Sequence, residues 1–373
     1  MAAFLLVTIA HHQRLYVRGL IDFEDEEDDV EVEVVDGIER PLGRADSGRY
    51  STRERILVAD CKAEFRFSGQ HLKRLLSVLQ MPPRIKTKHQ DNVCSLKALC
   101  LCLYRLSYPA RLDRMAEEFK MSKSAISRVI TAFIRHVTMS WDRLLYWDHH
   151  RLTSSKLEQL AKICAVENGY LCTRVFGFID GTTHRICRPS RFQRSMYNGH
   201  KHEHCVKYQG VVTPDGIIIH IGDSFEGNTH DHEIYCRSGL EDVLRVHAKD
   251  TYGENLALFG DAAYQTSGHM LKAIGGADLA AADVQFNKAM NAQRTSAEHA
   301  FGKVTAIFSA LSFSRTQKIL ATCVSDQYRF AVLLTNAHTC LYGSQMTSSF
   351  NTDPPTLEQY FNDNIHQVYI AAE

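Results

Sequence analysis

Residues 174–187 read R-V-F-G-F-I-D-G-T-T-H-R-I-C, and the chain is organised around this stretch. An apolar run there leads into a single carboxylate, Asp180, which Gly181 follows at once. A short apolar run that stops at Asp-Gly predicts a buried strand, whose carboxyl end lies where the sheet opens to solvent. Asp180 is therefore predicted to be presented to a ligand rather than buried.

Two further acids stand in comparable settings. Residues 255–264, N-L-A-L-F-G-D-A-A-Y, form another apolar run that ends at Asp261. Glu298 lies in residues 294–304, R-T-S-A-E-H-A-F-G-K-V, where three- and four-residue spacing predicts a helix with Arg294 on the same face. If the three carboxylates met in one site, they would repel one another unless cations neutralised them. Oxygen ligands of this kind suit Mg²⁺ or Mn²⁺.

A longer pattern surrounds these acids. Residues 177–227 contain G-F-I-D-G-T, I-C-R-P, Y-N-G-H-K-H-E-H-C-V-K-Y-Q-G-V-V-T-P-D-G and F-E-G-N-T-H-D, in that order. G-D-A-A-Y, F-N, R-x-x-x-E and L-L-T-N-A-H-T-C-L-Y-G-S continue the pattern to residue 344. It resembles the PIF/Harbinger superfamily of DDE transposases, both the mobile-element enzymes and the host-encoded nucleases derived from them.

The resemblance implies an α/β fold with a mixed sheet: an RNase H-like DDE catalytic domain, preceded by a helical domain of helix-turn-helix type. It implies that Asp180, Asp261 and Glu298 are catalytic and hold two divalent ions, Mg²⁺ or Mn²⁺. In-line attack by water or by a DNA 3′-hydroxyl would then cleave and join phosphodiester bonds of double-stranded DNA. Asp231, at a predicted helix start in the matching segment, is either a further metal ligand or only the cap of that helix.

Two other functions stay open. A host-retained protein could keep this fold for DNA binding or as a scaffold without cutting, and a gene without flanking terminal repeats would favour that reading. A metal-dependent hydrolase of small phosphoesters is the other alternative. The helix-turn-helix pattern and the basic stretch speak against a small substrate.

Length and composition set broad limits. The 373 residues carry 43 Lys and Arg against 43 Asp and Glu, so the net charge neither favours nor excludes nucleic acid. We predict an acidic N-terminal region (1–60), a helical region (61–150), the nuclease domain (151–345) and a C-terminal tail (346–373). The 11 cysteines include no C-x-x-C pair, which predicts reduced thiols. The apolar run near residue 1 is too short for a bilayer, so no membrane anchor is predicted.

Residues 22–36, D-F-E-D-E-E-D-D-V-E-V-E-V-V-D, form a dense acidic run. One interpretation is a solvated, largely disordered tail whose charges repel one another. The other is a regulatory arm that competes with DNA for a basic surface. The sequence does not decide between them.

Residues 111–137 predict two helices joined by a tight turn at 120–122, with Ser122 able to cap the second helix. In a helix-turn-helix, the first residues of the second helix would reach DNA; here these are Lys123, Ser124, Ser127 and Arg128. The alternative is a plain helical hairpin that packs on the catalytic domain. The family resemblance favours DNA binding.

A basic stretch follows Asp180, with aromatic residues between its charges. Such interleaving suits a nucleic-acid backbone near a carboxylate site. The candidate DNA contacts in it are Arg188, Arg191, Arg194, Lys201 and Lys207. Arg294 and Lys303 are further candidates, although Arg294 and Glu298 could equally form an ordinary helical salt bridge.

The histidines of H-K-H-E-H, His200, His202 and His204, would share one face of a strand and so suggest zinc. No cysteine or fourth ligand is suitably spaced, so DNA-facing histidines are the preferred interpretation. The expected partners are DNA, as transposon ends and target site, a second copy of the chain and a Myb-like companion protein. The resemblance implies a nuclear location.

Overall fold

The computed structural model describes residues 61–319 and 321–362. The predicted acidic region 1–60 and the last part of the predicted tail therefore lie outside the described residues. Among the helices of the described ranges, none combines the length and apolarity that crossing a bilayer requires.

The helical region matches the predicted order of elements. It contains α1 (Cys61–Phe65), α2 (Gly69–Val78), α3 (Ser95–Ser107), α4 (Leu112–Phe119) and α5 (Lys123–Trp141), with a small hairpin of β1 (Arg84–Lys86) and β2 (Asn92–Cys94). Lys120, in the left-handed region at φ 52°, ends α4. Ser122 caps α5 by accepting the N–H of Ala125 at 3.2 Å. The predicted turn at 120–122 is thus confirmed.

Residues 141–165 carry apolar residues at helical spacing, which predicts one continuous connecting helix, and this prediction is wrong. A short 3₁₀ helix at Asp142–Leu145 is followed by a loop, and α6 begins only at Ser154 (Ser154–Glu167). The loop closes because Asp148 Oδ1 accepts the backbone N–H groups of His150 and Arg151, at 3.1 and 3.3 Å. Such side-chain hydrogen bonds compete with helix formation.

A seven-stranded mixed sheet forms the centre of the remaining chain. Its strands are β3 (Val175–Arg185), β4 (Tyr197–Asn198), β5 (Glu203–Val212), β6 (Ile218–Ile221), β7 (Phe225–Glu226), β8 (Ala257–Phe259) and β9 (Met270–Leu271). The order is β4-β5-β3-β8-β9, and β6 and β7 also pair with β5. The β3, β5 and β6 pairings are antiparallel, whereas β3, β8 and β9 run parallel. This arrangement is consistent with an RNase H-like domain.

Two apolar runs around the turn residues T-P-D-G predict a hairpin, which is confirmed as β5 and β6. Gly216 adopts φ +75°, which glycine reaches without steric cost. Asp215, fully buried, accepts hydrogen bonds from Thr213 Oγ1 at 2.6 Å and from Arg151 Nη1 at 2.9 Å. The turn is therefore tied to the loop before α6.

The sheet is covered by α6, α7 (Asp231–Arg237), α8 (Leu240–His247), α9 (Ala281–Ile307) and α10 (Val324–Tyr342), and the described chain ends with α11 (Gln345–Ser349) and α12 (Leu357–Tyr360). One hydrophobic core runs from the helical region into the sheet. Phe133 of α5 packs edge-on against Phe330 of α10, with ring centroids 6.1 Å apart, and Trp147 packs against Phe176 of β3. The helical region and the sheet therefore form a single packed body.

Candidate active site

Asp180 and Asp261 lie side by side at one edge of the sheet. Phe178 of β3 pairs in parallel with Phe259 of β8, and each acid follows two residues after its phenylalanine. Neighbouring strands lie about 4.8 Å apart, so this register brings the two acids together. The prediction that β3 ends at Asp180 is wrong, because the strand continues to Arg185 along its antiparallel partner β5. Only the parallel neighbour stops there, and its end exposes the acid.

Glu298 is brought over Asp180 by helix packing. Gly210 of β5 pairs with Asp180, and a Cβ atom at Gly210 would lie 2.3 Å from the ring of Phe301. The absent side chain thus lets α9 approach the sheet directly beside Asp180. Glu298 precedes Phe301 by three residues, so both lie on the same side of α9. The predicted Arg294–Glu298 pair is confirmed, with Arg294 Nη1 2.7 Å from Glu298 Oε1.

Asp231 joins the same edge from α7. A Cβ atom at Gly181 would lie 2.7 Å from Asp231 Oδ1, so the Asp231 carboxylate lies directly against the backbone next to Asp180. His230, not Asp231, is the capping position of α7, and no side-chain capping bond forms there. Asp231 instead pairs with Lys207, whose Nζ lies 2.6 Å from Oδ1. The helix-cap interpretation of Asp231 is therefore wrong.

The electrostatics of Asp180 reflect this crowding. Burial raises the pKa of its carboxyl from 3.8 to about 6, against the lowering effect of Arg294 and of the Gly181 N–H. The charges of Glu298 and Asp261 raise that pKa further. A carboxylate that is desolvated among like charges favours a proton or a metal cation. Asp180 is therefore the side chain at this edge that gains most from a cation.

Each of the four acids faces a local donor. Asp180 accepts the N–H of Gly181 at 2.9 Å, and Asp261 accepts that of Ala263 at 3.0 Å. Glu298 and Asp231 are paired with Arg294 and Lys207. Within the described residues, no three His, Cys, Asp or Glu side chains already form a complete metal-ligand set. The donor atoms suit Mg²⁺ or Mn²⁺.

The mixed sheet therefore carries Asp180 within β3 and Asp261 two residues after β8, and the helix that carries Glu298 packs over them. Residues 179–336 match the family model of the DDE superfamily endonucleases. This match covers all four acids and supports a DDE transposase-like nuclease domain, of a family that generally uses divalent ions and acts on DNA. Searches of curated proteins and of solved structures gave no match.

Two uncharged residues within the matched range had no predicted role. Gln209 and Tyr264 are fully buried beneath the acids, and Gln209 Nε2 lies 3.1 Å from the hydroxyl of Tyr264. Both occur in the strings Y-Q-G and G-D-A-A-Y, so the sequence contained them. Nothing in the spacing indicated that they meet, because 55 residues separate them.

The candidate DNA contacts divide into exposed and engaged cations. Four of them are exposed in the segment that follows β3: Arg188, Arg191, Arg194 and Lys201. We call these four side chains the cationic surface. The aromatic side chains of Phe192 and Tyr197, in the same segment, are also exposed. Lys207 is turned inward onto Asp231. Lys303 donates to Thr339 Oγ1 at 2.9 Å and to the Gly343 carbonyl at 2.7 Å, and so secures the end of α10.

The predicted recognition residues lie at the start of α5. Lys123, Ser124 and Ser127 are exposed, as a DNA contact requires. Lys123 Nζ lies 2.7 Å from Asp113 of α4, and Arg128 forms a two-point hydrogen bond with Asp91, at 2.7 and 3.0 Å. The structure shows the two helices and the turn between them, and both the helix-turn-helix function and the DNA contacts stay predictions.

The histidine pattern does not share a strand face. His200 and His202 lie in the exposed turn before β5, and only His204 belongs to the strand. Alternation along one strand was the basis of the zinc interpretation, and that basis is therefore wrong.

Proposed function

We propose that this protein is a divalent-metal-dependent DNA endonuclease and transposase of the Harbinger type. The observation that carries the proposal is the convergence of Asp180, Asp261 and Glu298 at one sheet edge, through strand register and the packing of α9. The family match to residues 179–336 supports nuclease chemistry. Strand transfer, Mg²⁺ as the ion and the Harbinger assignment rest on the sequence resemblance.

In this proposal, Asp180, Asp261 and Glu298 would hold two divalent ions, with Asp231 as an auxiliary ligand. Ions held there would supply activation of the attacking hydroxyl and stabilisation of the leaving oxygen. Arg294 orients Glu298 through the 2.7 Å ion pair and offsets negative charge beside Asp180. Lys207 similarly balances Asp231 in the absence of metal.

The cationic surface is the proposed track of the DNA backbone. Its guanidinium and ammonium groups neutralise phosphates, and Phe192 and Tyr197, 44% and 39% exposed, offer faces for stacking. Along the chain it lies between β3 and β5, the paired strands that contain Asp180 and Gly210. A duplex bound there would reach the acids. We extend the proposal to a nuclear location, a homo-oligomer and a Myb-like companion, as the resemblance implies.

Replacing Arg191 and Arg194 by Ala is expected to weaken binding to double-stranded DNA and to flatten its salt dependence. Each lost phosphate contact lowers the slope of log K against log salt by about 0.9, so the double variant should lose about 1 to 2 units. Fluorescence anisotropy across a salt series measures this slope. Arg245→Ala, which removes an exposed cation paired with Asp242 on α8, is the matched control. An unchanged slope would remove the cationic surface from the DNA path.

Replacing Lys123 and Arg128 by Ala should weaken DNA binding and reduce the salt slope by about one to two phosphate contacts. Asp113→Asn provides the opposite control, because it releases the Lys123 ammonium from its 2.7 Å ion pair and should strengthen binding. Circular dichroism monitors folding, since Arg128 also anchors Asp91. Identical slopes in all these proteins would assign α4 and α5 to a packing role alone.

A second candidate is a host-retained DNA-binding protein that does not cut. The pairing of Glu298 and Asp231 with local cations favours it, because those carboxylates are already neutralised without metal. Metal-dependent nicking of supercoiled DNA by the wild-type chain separates the two candidates. DNA binding without nicking, in Mg²⁺ and in Mn²⁺, would favour the second.

A further inference from the structure

The Gln209–Tyr264 pair lies directly beneath the edge of the sheet where the four acids meet; we call this the acid edge, and it comprises Asp180, Asp231, Asp261 and Glu298. Gln209 pairs in register with Gly181, the residue that the Asp231 carboxylate contacts. Tyr264 follows Asp261 by three residues, and its backbone N–H donates to the Asp261 carbonyl at 3.3 Å. A Cβ atom at Gly260 would lie 2.5 Å from the ring of Tyr264, so the ring rests against the backbone that leads into Asp261.

One amide joins the two sides of the site. Gln209 Nε2 donates to the backbone carbonyl of Asp231 at 3.2 Å and to the Tyr264 hydroxyl at 3.1 Å. A carbonyl can only accept a hydrogen bond, which fixes the amide with its NH₂ toward Asp231. The tyrosine oxygen therefore accepts from Gln209.

The surroundings of the Tyr264 hydroxyl are acidic. Burial raises the pKa of Tyr264 well above its ordinary value, and the charges of Asp231, Asp180 and Asp261 raise it further. The phenol thus stays protonated and lies within the field of three carboxylates. A neutral donor among crowded acids stabilises their charged forms without competing as a cation.

Within the described residues, no donor reaches the buried Oε1 of Gln209. An unsatisfied buried acceptor destabilises a fold. Gln209 therefore keeps one unsatisfied acceptor while its NH₂ group makes the two hydrogen bonds to Asp231 and Tyr264.

We propose that Gln209 and Tyr264 are positioning residues, which hold Asp231 of α7 in register with Asp180 and Asp261 so that the carboxylates can share divalent ions. The inference rests on the proposed metal-dependent function. It assigns the pair to the layer of hydrogen bonds behind metal ligands, whose loss weakens metal binding although the ligands remain.

The test is Mn²⁺ binding to the full chain, measured by isothermal titration calorimetry, together with the unfolding temperature of the metal-free protein. Tyr264→Phe should weaken Mn²⁺ affinity about tenfold, with an unchanged unfolding temperature. Gln209→Met should weaken affinity in the same way and leave the metal-free protein equally stable or more stable. Gln209→Met also carries the test if Tyr264→Phe does not fold.

Tyr235→Phe is the matched control. Tyr235 is also buried, 2% exposed, and its ring packs edge-on against Tyr264 at 6.1 Å. After burial, Glu241 of α8 is the main group that raises its pKa, so its hydroxyl lies beside α8. Mn²⁺ affinity of Tyr235→Phe should equal that of wild type. If Tyr264→Phe and Gln209→Met also bind Mn²⁺ like wild type, the positioning role is overturned and the proposed function stands. A wild-type chain that binds no Mn²⁺ overturns both.

Discussion

Asp180→Asn is expected to abolish divalent-metal-dependent nicking of supercoiled DNA while leaving DNA binding largely intact. The amide keeps the shape of the side chain. It can still accept the Gly181 N–H, which lies 2.9 Å from the carboxylate in the wild-type protein. It loses the charge that binds a cation at the centre of the acid edge. Bound metal supplies several kcal/mol of transition-state stabilisation, so a loss of about 10³-fold or more is expected.

Conversion of supercoiled to open-circular plasmid measures this loss, and anisotropy with a labelled duplex measures binding in Ca²⁺. Asp242→Asn is the control, because Asp242 is an exposed acid, 58% accessible, that pairs with Arg245 away from the sheet edge. Undiminished nicking by Asp180→Asn would exclude Asp180 from the site. Equal loss in Asp242→Asn would point instead to a general effect of charge on the protein.

The same Asp180→Asn variant is expected to be more stable than wild type at pH 7.5 without metal. The folded protein raises the pKa of Asp180 from 3.8 to about 6, so folding favours its protonated form. The carboxyl therefore destabilises the fold increasingly as the pH rises from 3.8 to 6, and fully above 6. Each unit between the two pKa values corresponds to about 1.4 kcal/mol, which gives about 3 kcal/mol at most.

Urea denaturation at several pH values, with EDTA present, tests this expectation. The stability difference between variant and wild type should be largest above pH 6 and vanish near pH 4. Asp215→Asn is the contrasting control, because it leaves Arg151, 9% exposed, without its 2.9 Å partner and should destabilise on the order of 3 kcal/mol. A pH-independent difference for Asp180→Asn would show that Asp180 is not desolvated among like charges.

The sequence predicted the elements of the site better than their assembly. Apolar runs before Asp180 and Asp261 predicted two strands, and four-residue spacing predicted the helix with Arg294 and Glu298. Hydrophobic periodicity shows which face of a single helix or strand is buried. It carries no information on which strands become neighbours. Strand register was therefore supplied by the family resemblance.

Close approaches account for most of the remaining errors. The absent side chains leave room for the Asp231 carboxylate at Gly181 and for the Phe301 ring at Gly210. A glycine in a sequence does not show which side chain will pack against it. Inward-facing cations were missed for the same reason. Lys207 and Lys303 read as surface charges in the sequence, but Lys207 is occupied by Asp231 and Lys303 by the end of α10.

The common hydrophobic core of the helical region and the sheet has a geometric consequence. Phe133 of α5 packs against α10, and Trp147, in the loop after α5, packs against β3, so α5 and the acids belong to one packed body within the described residues. If α5 contacts DNA as proposed, the number of base pairs between that contact and the broken bond would be set by the protein. Cleavage should therefore occur at one fixed offset, whatever sequence lies between.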